Sequence, residues 1–400
     1  MSRTRVFGIG LAAMIGLIAS DTLAQDAGRH WVAAWSTSQQ GLGQASFSNA
    51  TVRMIARVTV PGDSVRIRLD NTFGKEPLAI GHATIAPRIR GAAVASGLNM
   101  PVMFGGKGAV TIPAGGSMES DPVNLRVEAQ QDLAVSLYVS GANVQPSQHN
   151  NAVVTSYVTE NGAGDQTASE DGKAFTGNTT SMFWLKAIDV RAAAPTSTIV
   201  AFGDSITDGT CTTLDAHDRW EDVVATRLAM QRPARRAMVN EGIGGNTVTN
   251  AMNYNPVINS PTGVDRLERD VLSHPGVSHV VLFMGTNDIA RGASAELVET
   301  GIKDVIARVR AKGIKIYGAT IIPRHNAAWS EERTKIKNAV NAWIRKDAGF
   351  DAVLDFDRVV RDPKSPNLIR ADYNCGDSIH PSPIGYFRMG RSVDLALFAK

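Results

Sequence analysis

The sequence lacks four features that would place it in a special class. Beyond its first residues, no apolar run is long enough to span a bilayer, which argues against a membrane protein. The 41 Lys and Arg residues nearly balance the 38 Asp and Glu residues, so charge gives no case for nucleic-acid binding. There is neither an internal repeat nor a compositionally disordered region. With 43% hydrophobic residues, the 400-residue chain is long enough for about two ordinary domains.

The first residues are typical of a secretory signal peptide. Arg3 and Arg5 precede the apolar stretch 6–19, and Ala24 ends a small-x-small pattern. We predict that residues 1–24 are removed by cleavage after Ala24, which lowers the formal charge from +3 to +2, and that the mature protein is secreted or periplasmic. The stretch is short for a transmembrane helix, so an uncleaved anchor is the less favoured alternative. No cysteine follows it, which argues against a lipoprotein anchor.

Residues 25–191 follow a β pattern. Apolar and polar residues alternate there, with many β-branched side chains, and glycine- and proline-rich turns separate the segments. The clearest segments are 50–60, 63–71 and 132–140. This pattern predicts an antiparallel β-sandwich or jelly-roll-like domain. A short linker at 192–197 is expected to join it to a second domain, 198–400.

The second domain alternates between apolar strands and amphipathic helices. The predicted strands lie at 197–202, 237–243, 279–284, 314–322 and 352–356. The predicted helices lie at 220–230, 295–312, 331–346 and 383–398. Such alternation favours a parallel sheet with helices on both faces. Right-handed crossovers then bring the carboxyl ends of the strands to one edge, where open α/β sheets bind ligands.

Four polar or glycine-rich segments follow these strands and should share that edge. They are GDSITDG with Ser205, GIGGNT with Gly245, GTND with Asn287, and DSIHP with Asp377 and His380. A serine hydroxyl becomes a nucleophile when a histidine takes its proton, and a carboxylate orients the histidine. Backbone N–H groups of a glycine turn and an asparagine amide suit the negative oxygen formed during acyl transfer. The combination indicates a serine hydrolase.

Each segment alone has a simpler interpretation. Ser205 could be an ordinary turn residue, and GIGGN could be a phosphate-binding or ligand-free turn. Asn287 could cap a helix, and His380 could be a surface residue after an Asx turn. The joint occurrence of the segments, in this order on one edge, favours the catalytic interpretation. No glycine lies two residues after Ser205, so the nucleophile elbow of α/β-hydrolases is absent.

The four segments together resemble the motifs of the SGNH (GDSL) hydrolase family of esterases and lipases, over about residues 197–400. GDSI replaces GDSL, which is a minor departure. The resemblance implies a flavodoxin-like, five-stranded parallel sheet. It also implies the site residues, with Ser205, Asp377 and His380 as the triad and Ser205, Gly245 and Asn287 as oxyanion donors. WVAAWSTSQ and IRLDNTFGKEPLAIG are similar to a β-rich extension that precedes this domain in some exported bacterial members.

The resemblance further implies a secreted serine esterase that works through an acyl-enzyme, without cofactor or metal. The expected substrates are short-acyl esters, with acetyl groups on polysaccharides as one candidate. One alternative is an acyltransferase or thioesterase with the same triad. Another is a secreted carbohydrate-binding protein with a catalytically silent hydrolase domain. Neither a nucleic-acid partner nor a stable membrane anchor is expected.

The predicted triad bears on the two cysteines, because each lies close in sequence to a triad residue. Cys211 follows Ser205 closely, and Cys375 precedes Asp377. A triad would carry both thiols to one neighbourhood, so we predict a Cys211–Cys375 disulfide. Two free thiols are the alternative.

Other titratable residues are given structural interpretations. The acidic segment after Ser205 matches no metal-ligand spacing; its members are Asp208, Asp215, His217 and Asp218. Asp218 is instead predicted to cap the helix that begins near Trp220. Four further histidines are interpreted as surface or loop residues; they are His149, His274, His279 and His325.

Overall fold

The computed structural model describes residues 28–250 and 260–399. The predicted signal peptide, 1–24, lies outside these described residues. Among the residues that are described, no helix has the length and apolarity needed to cross a membrane. Antiparallel strands make up the N-terminal region, up to Ala193, and strands and helices alternate in the C-terminal region, from Ser197 onward.

The N-terminal region is built from short antiparallel strands. They are β1 (Arg29–Ser36), β2 (Gly41–Leu42), β3 (Ala50–Val58), β4 (Val65–Asp70), β5 (Leu78–Arg90), β6 (Ala93–Val94), β7 (Met100–Pro101), β8 (Val110–Ile112), β9 (Ser117–Glu119), β10 (Gln131–Val139), β11 (Ser147–His149), β12 (Ser156–Val158), β13 (Gly177–Thr179), β14 (Met182–Phe183) and β15 (Leu185–Ala193). In the described chain they form sheets of order β1-β15-β4-β9, β13-β12-β3-β10-β5-β6 and β14-β11-β2, with β7 and β8 also paired to β5.

Burial explains the alternation seen in the sequence of these strands. In β4, Val65, Ile67 and Leu69 are buried, whereas Arg66 and Arg68 are partly exposed. The buried side chains of β4 share one apolar cluster with those of β3 and β10. The predicted antiparallel β pattern therefore agrees with the structure, while the sandwich or jelly-roll arrangement remains a prediction.

The C-terminal region contains the predicted parallel sheet. Its strands are β16 (Ser197–Gly203), β17 (Arg236–Gly242), β18 (Val277–Phe283), β19 (Lys315–Ala319) and β20 (Ala352–Leu354). They pair in parallel in the order β17-β16-β18-β19-β20, which is the 2-1-3-4-5 order of flavodoxin-like sheets. The α-helices are α1 (Ser205–Asp208), α2 (Trp220–Ala229), α3 (Gly263–Leu267), α4 (Thr286–Ala290), α5 (Ala295–Ala311), α6 (Glu331–Lys346), α7 (Phe356–Val360) and α8 (Pro383–Ser392).

Helices cover both faces of this sheet, as predicted. Val200 and Phe202 of β16 pack with apolar residues of α3, α5 and α6. Ile199 and Ala201, which alternate with them, pack with residues of α2, α7 and α8. Since successive strand residues point to opposite faces, this alternation places one buried core on each side of the sheet.

Two helix ends differ from the sequence prediction. The prediction that Asp218 caps α2 is wrong, because Arg219 is the N-cap and the Asp218 carboxylate accepts a hydrogen bond from the Thr213 N–H instead. The last helix stops at Ser392 rather than running to Phe398, because Val393 adopts an extended conformation. A separate 3-10 turn, Leu395–Phe398, follows.

The connection between the two regions is also shorter than the predicted linker. Strand β15 continues to Ala193 and β16 begins at Ser197, so only residues 194–196 lie between them. The regions also contact each other directly. The Ala33 N–H donates to the Pro275 carbonyl at 3.1 Å, and the Met238 N–H donates to Thr59 Oγ1 at 3.1 Å. The N-terminal region therefore packs against the edge of the parallel sheet formed by β17.

Charged side chains are buried at this boundary. Glu241 of β17 accepts hydrogen bonds from Ser36, from Ser38 at 2.5 Å and from His274 Nε2 at 2.6 Å. Arg68 donates to the other ring nitrogen of His274. Burial and the Arg68 charge lower the pKa of His274, which is therefore a neutral imidazole. His274 lies in the loop before β18, as predicted, but its ring is enclosed by the two regions and is not at the surface.

Candidate active site

The first site residue, Ser205, stands at a sharp strand-to-helix turn. It begins α1 directly after β16, and the Asp204 carboxylate caps the helix by accepting the Ile206 N–H at 3.0 Å. Gly203 leaves no room for a side chain, since an added Cβ would lie 2.1 Å from Thr207 Oγ1. The turn thus fixes the Ser205 hydroxyl at the carboxyl edge of the sheet.

A loop before α8 brings Asp377 and His380 to the same place. The Asp377 carboxylate accepts from the backbone N–H groups of Ile379 at 2.8 Å and His380 at 2.9 Å. Its second oxygen lies 2.5 Å from His380 Nδ1, and His380 Nε2 lies 2.8 Å from Ser205 Oγ. If Nδ1 carries its hydrogen toward the carboxylate, Nε2 faces the hydroxyl as an acceptor.

The same hydrogen bonds keep Asp377 ionised. Burial alone raises the pKa of this carboxyl group, but the bonds from His380 and Ile379 hold the pKa below its ordinary value. The carboxylate is therefore available to orient the imidazole at neutral pH.

A disulfide joins the loops that carry these residues. Cys211, just after α1, is bonded to Cys375, two residues before Asp377. The Cys375 N–H also donates to the His380 carbonyl at 3.1 Å. The Cys211 sulfur and the polar atoms of Asp377 and His380 lie within 4.8 Å of one another. Because this sulfur belongs to the disulfide, it offers no thiolate ligand to a metal.

The glycine turn and Asn287 follow the two strands that flank β16. The Ile243 carbonyl accepts the Asn246 N–H at 3.1 Å, and Gly245 has a φ of 73°, which is the pattern of a type II turn. Asn287, in α4 after β18, donates its amide to the Asn246 carbonyl at 3.0 Å. The structure thus brings together the predicted turn and the predicted amide, on either side of the Ser205 strand.

Two charged residues that hold this turn were given no role in the sequence analysis. Arg266 is fully buried and donates to Asn246 Oδ1 at 2.9 Å and to the Gly203 carbonyl at 2.8 Å. Asp288 accepts the Val248 N–H at 3.1 Å, and burial raises its pKa to about 6. Asp288 directly follows Asn287, and this position in the GTND motif could have identified it as a site residue. Arg266 lies between motifs, where nothing local marks it.

Two of the four histidines interpreted as surface or loop residues also proved to be buried elsewhere in the described chain. His279 lies in β18 and packs against the rings of Tyr317 and Phe398. His149 lies in β11 with 2% of its surface exposed. His325 does lie in a loop, and its N–H donates to the Ser378 carbonyl at 3.0 Å, beside the loop of Asp377 and His380.

A groove of about 400 Å³ opens next to His325. Most of its lining residues are polar, and Trp329 and Leu368 are the apolar ones. The Trp329 indole is held by a 3.1 Å bond from Nε1 to Thr334 Oγ1, and the Arg324 guanidinium lies 5.2 Å from its ring centroid. Asn338 and Asn367, bonded to each other at 3.3 Å, line another part. A groove of this size can hold a small polar ligand.

Comparisons with known proteins match the C-terminal region to one family. Residues 201–388 match the model of the GDSL-like Lipase/Acylhydrolase family. No curated protein matches the sequence. Similar solved structures include a carbohydrate acetylesterase family member from Sinorhizobium meliloti (18% identity, 51% of this chain, 100% of that chain, TM-score 0.40). They also include a GDSL-like lipase from Bacteroides thetaiotaomicron (18% identity, 51% of this chain, 88% of that chain, TM-score 0.38). A third is an aryl esterase from M. smegmatis (18% identity, 49% of this chain, 95% of that chain, TM-score 0.39).

Proposed function

Because residues 201–388 form a GDSL-like lipase/acylhydrolase domain and the protein is a carboxylic ester hydrolase, we propose that it is a serine esterase with Ser205 as nucleophile. In the first step, Ser205 Oγ attacks the ester carbonyl carbon while His380 Nε2 takes the hydroxyl proton. His380 then returns this proton to the leaving alcohol oxygen, and the acyl group remains on Ser205. Water, deprotonated by His380, then attacks the acyl carbon; His380 returns this proton to Ser205 Oγ as the C–O bond to the serine breaks and the acid is released.

In this mechanism, hydrogen-bond donors must stabilise the negative charge that forms on the carbonyl oxygen. We assign them to the backbone N–H groups of Ser205 and Gly245 and to the Asn287 amide. An amide nitrogen offers two hydrogens, and Asn287 uses one on the Asn246 carbonyl. The second is assigned to the oxyanion. One such donor typically lowers the barrier by about 3 kcal/mol.

The substrate that the site supports best is a short-acyl ester, such as an acetyl ester, of a polar alcohol. The groove beside His325 supports a polar alcohol, because the amides of Asn338 and Asn367 suit hydroxyl groups and the Trp329 indole suits a sugar face. A sugar of an acetylated polysaccharide would meet these requirements. Neither an acyltransferase or thioesterase nor a silent binding protein is favoured by the family match.

We also propose the organisation and location that the sequence predicts. Residues 1–24 would direct export, and residues 25–191 would form a β-sandwich domain ahead of the catalytic domain, 198–400. The disulfide supports an oxidising compartment, either the periplasm or the cell exterior.

The observation that carries the proposal is the chain of hydrogen bonds from Asp377 through His380 to Ser205. The test is Ser205→Ala, assayed on p-nitrophenyl acetate. Turnover should fall by at least about 10³-fold at unchanged Tm. Ser197→Ala, at the opposite end of β16, is the matched control and should retain activity. A fully active Ser205→Ala variant would refute the nucleophile.

A further inference from the structure

One carboxylate connects the proposed oxyanion turn to the N-terminal region. Asp208 ends α1, three residues after Ser205. Its Oδ2 accepts the Gly244 N–H at 2.9 Å, and its Oδ1 lies 2.9 Å from Nε2 of His149 in β11. The side chain therefore bridges the residue next to Gly245 and a histidine far away in sequence.

His149 is held in this contact as a cation. Its Nδ1 lies 2.9 Å from the Ser38 carbonyl, and its Nε2 faces the Asp208 carboxylate. Both partners only accept hydrogen bonds, so both ring nitrogens must donate. Burial by itself lowers the pKa of His149, but the Asp208 charge and the two hydrogen bonds raise it above its ordinary value. The ring is thus a buried imidazolium with fixed direction.

The surroundings leave Asp208 little freedom. The Arg219 guanidinium donates to its carbonyl at 2.7 Å. Gly242, at the end of β17, approaches so closely that an added Cβ would lie 2.2 Å from the Asp208 nitrogen. Gln40 Nε2 lies 3.5 Å from Oδ2, and its own Oε1 accepts the Asn150 N–H at 2.9 Å. Because α1 and the turn pack this tightly, a shift of the Asp208 side chain moves the Gly244 N–H.

We propose that His149 is a positioning residue: it fixes Asp208, which holds the Ile243–Gly244 peptide through the Gly244 N–H. Because the next peptide belongs to the same tight turn, this contact also sets the direction of the Gly245 N–H. The inference rests on the proposed function, since that N–H is assigned to the oxyanion. The N-terminal region then takes part in ester hydrolysis without contacting the substrate. A misdirected donor mainly reduces the stabilisation of the transition state, in which the carbonyl oxygen of the ester carries negative charge.

The test compares His149→Ala and Asp208→Asn with the unmodified protein on p-nitrophenyl acetate. Each should lower kcat by roughly 10- to 100-fold, the size of effect that a small displacement of a donor produces, while KM changes less than about twofold. The double variant should lose no more than the more impaired single variant, because both act through one chain of contacts. His149→Gln, which keeps a neutral donor, should recover part of the lost kcat.

The matched control is Thr59→Val. It also removes a buried hydrogen bond between the two regions, to the Met238 N–H, but near the far end of β17 from the turn. It should lower Tm and leave kcat unchanged. The proposal is overturned if His149→Ala keeps the wild-type kcat, or if Thr59→Val loses kcat to the same extent at the same loss of Tm.

Three further outcomes are decisive. If His149→Ala does not fold, His149→Gln is measured in its place. A wild-type kcat in both His149→Gln and Asp208→Asn then overturns the proposal. If Ser205→Ala is inactive while these variants are fully active, only the role of His149 fails. If Ser205→Ala is active, the proposed function fails first.

Discussion

The two regions of this molecule hold their polar groups in different places. In the C-terminal region, strands are apolar and the polar residues follow their ends, as Ser205 and Asn287 do. In the N-terminal region, buried polar side chains such as Ser38 and His149 face the boundary instead. A parallel sheet collects loops at one edge, whereas antiparallel strands present side chains along a face. The comparison suggests that one region supplies chemistry and the other holds it in place.

Two buried histidines at the boundary sharpen this difference. His274 lies between a donor, Arg68, and an acceptor, Glu241, and is neutral. His149 lies between two acceptors and is charged. Burial is nearly complete for both rings. The hydrogen-bond partners therefore decide which histidine carries charge.

The largest expected effect tests whether the boundary holds the regions together. Glu241→Ala removes the acceptor shared by Ser36, Ser38 and His274, so we expect a loss of about 3–5 kcal/mol in the free energy of unfolding, measured by urea denaturation. Glu332→Ala, which breaks an exposed pair with Lys335, is the control and should change little. Equal, small losses in both variants would show that the boundary contributes little.

The next effect tests whether the chemistry lies in the C-terminal region. Asn287→Ala should lower kcat on p-nitrophenyl acetate by about 10²- to 10³-fold, or about 3–4 kcal/mol, because it removes a donor assigned to the oxyanion. KM should change much less. Ser197→Ala, at the far end of β16 from Ser205, should leave this kcat unchanged and serves as the control. Wild-type turnover in Asn287→Ala would contradict the assignment.

A smaller effect concerns the disulfide within the C-terminal region. The double variant Cys211→Ser with Cys375→Ser should lose about 2–4 kcal/mol of stability, because the bridge restricts the unfolded chain over a long loop. Turnover should fall as well, since the bridge joins the loops of Ser205 and His380. Thiol titration of denatured, unreduced protein provides the check, and two free thiols per chain would rule the bridge out.

The smallest effect is a pH dependence at Asp204, the residue before Ser205. Burial, and secondarily the charge of Asp288, raise the pKa of Asp204 to about 7. A carboxyl group with a raised pKa binds its proton more tightly in the folded state, so its contribution to stability declines as pH rises toward that value. Asp204→Asn lacks this titration and keeps a capping oxygen. From about pH 5 to about pH 8, Tm of the wild type should fall relative to the variant. A constant difference in Tm would contradict the shift.

Local sequence was sufficient for much of the C-terminal region. The spacing of apolar residues predicted the five described strands of its parallel sheet. The motifs that follow these strands predicted that Ser205, Gly245, Asn287 and His380 lie at one edge of the sheet. Prediction was weaker where local preference competes with a specific contact. Asp218 has the chemistry of a cap, but its carboxylate binds the Thr213 N–H instead.

The sequence by itself determined the parallel sheet, the order of its motifs and the residue types at its edge, because these depend on neighbours a few positions apart. Only the tertiary structure decided that His149 and His274 are buried, which of them is charged, and that Asp208 joins the glycine turn to the N-terminal region. Those properties arise from contacts between residues far apart in the chain, and such contacts leave no periodic signal in the sequence.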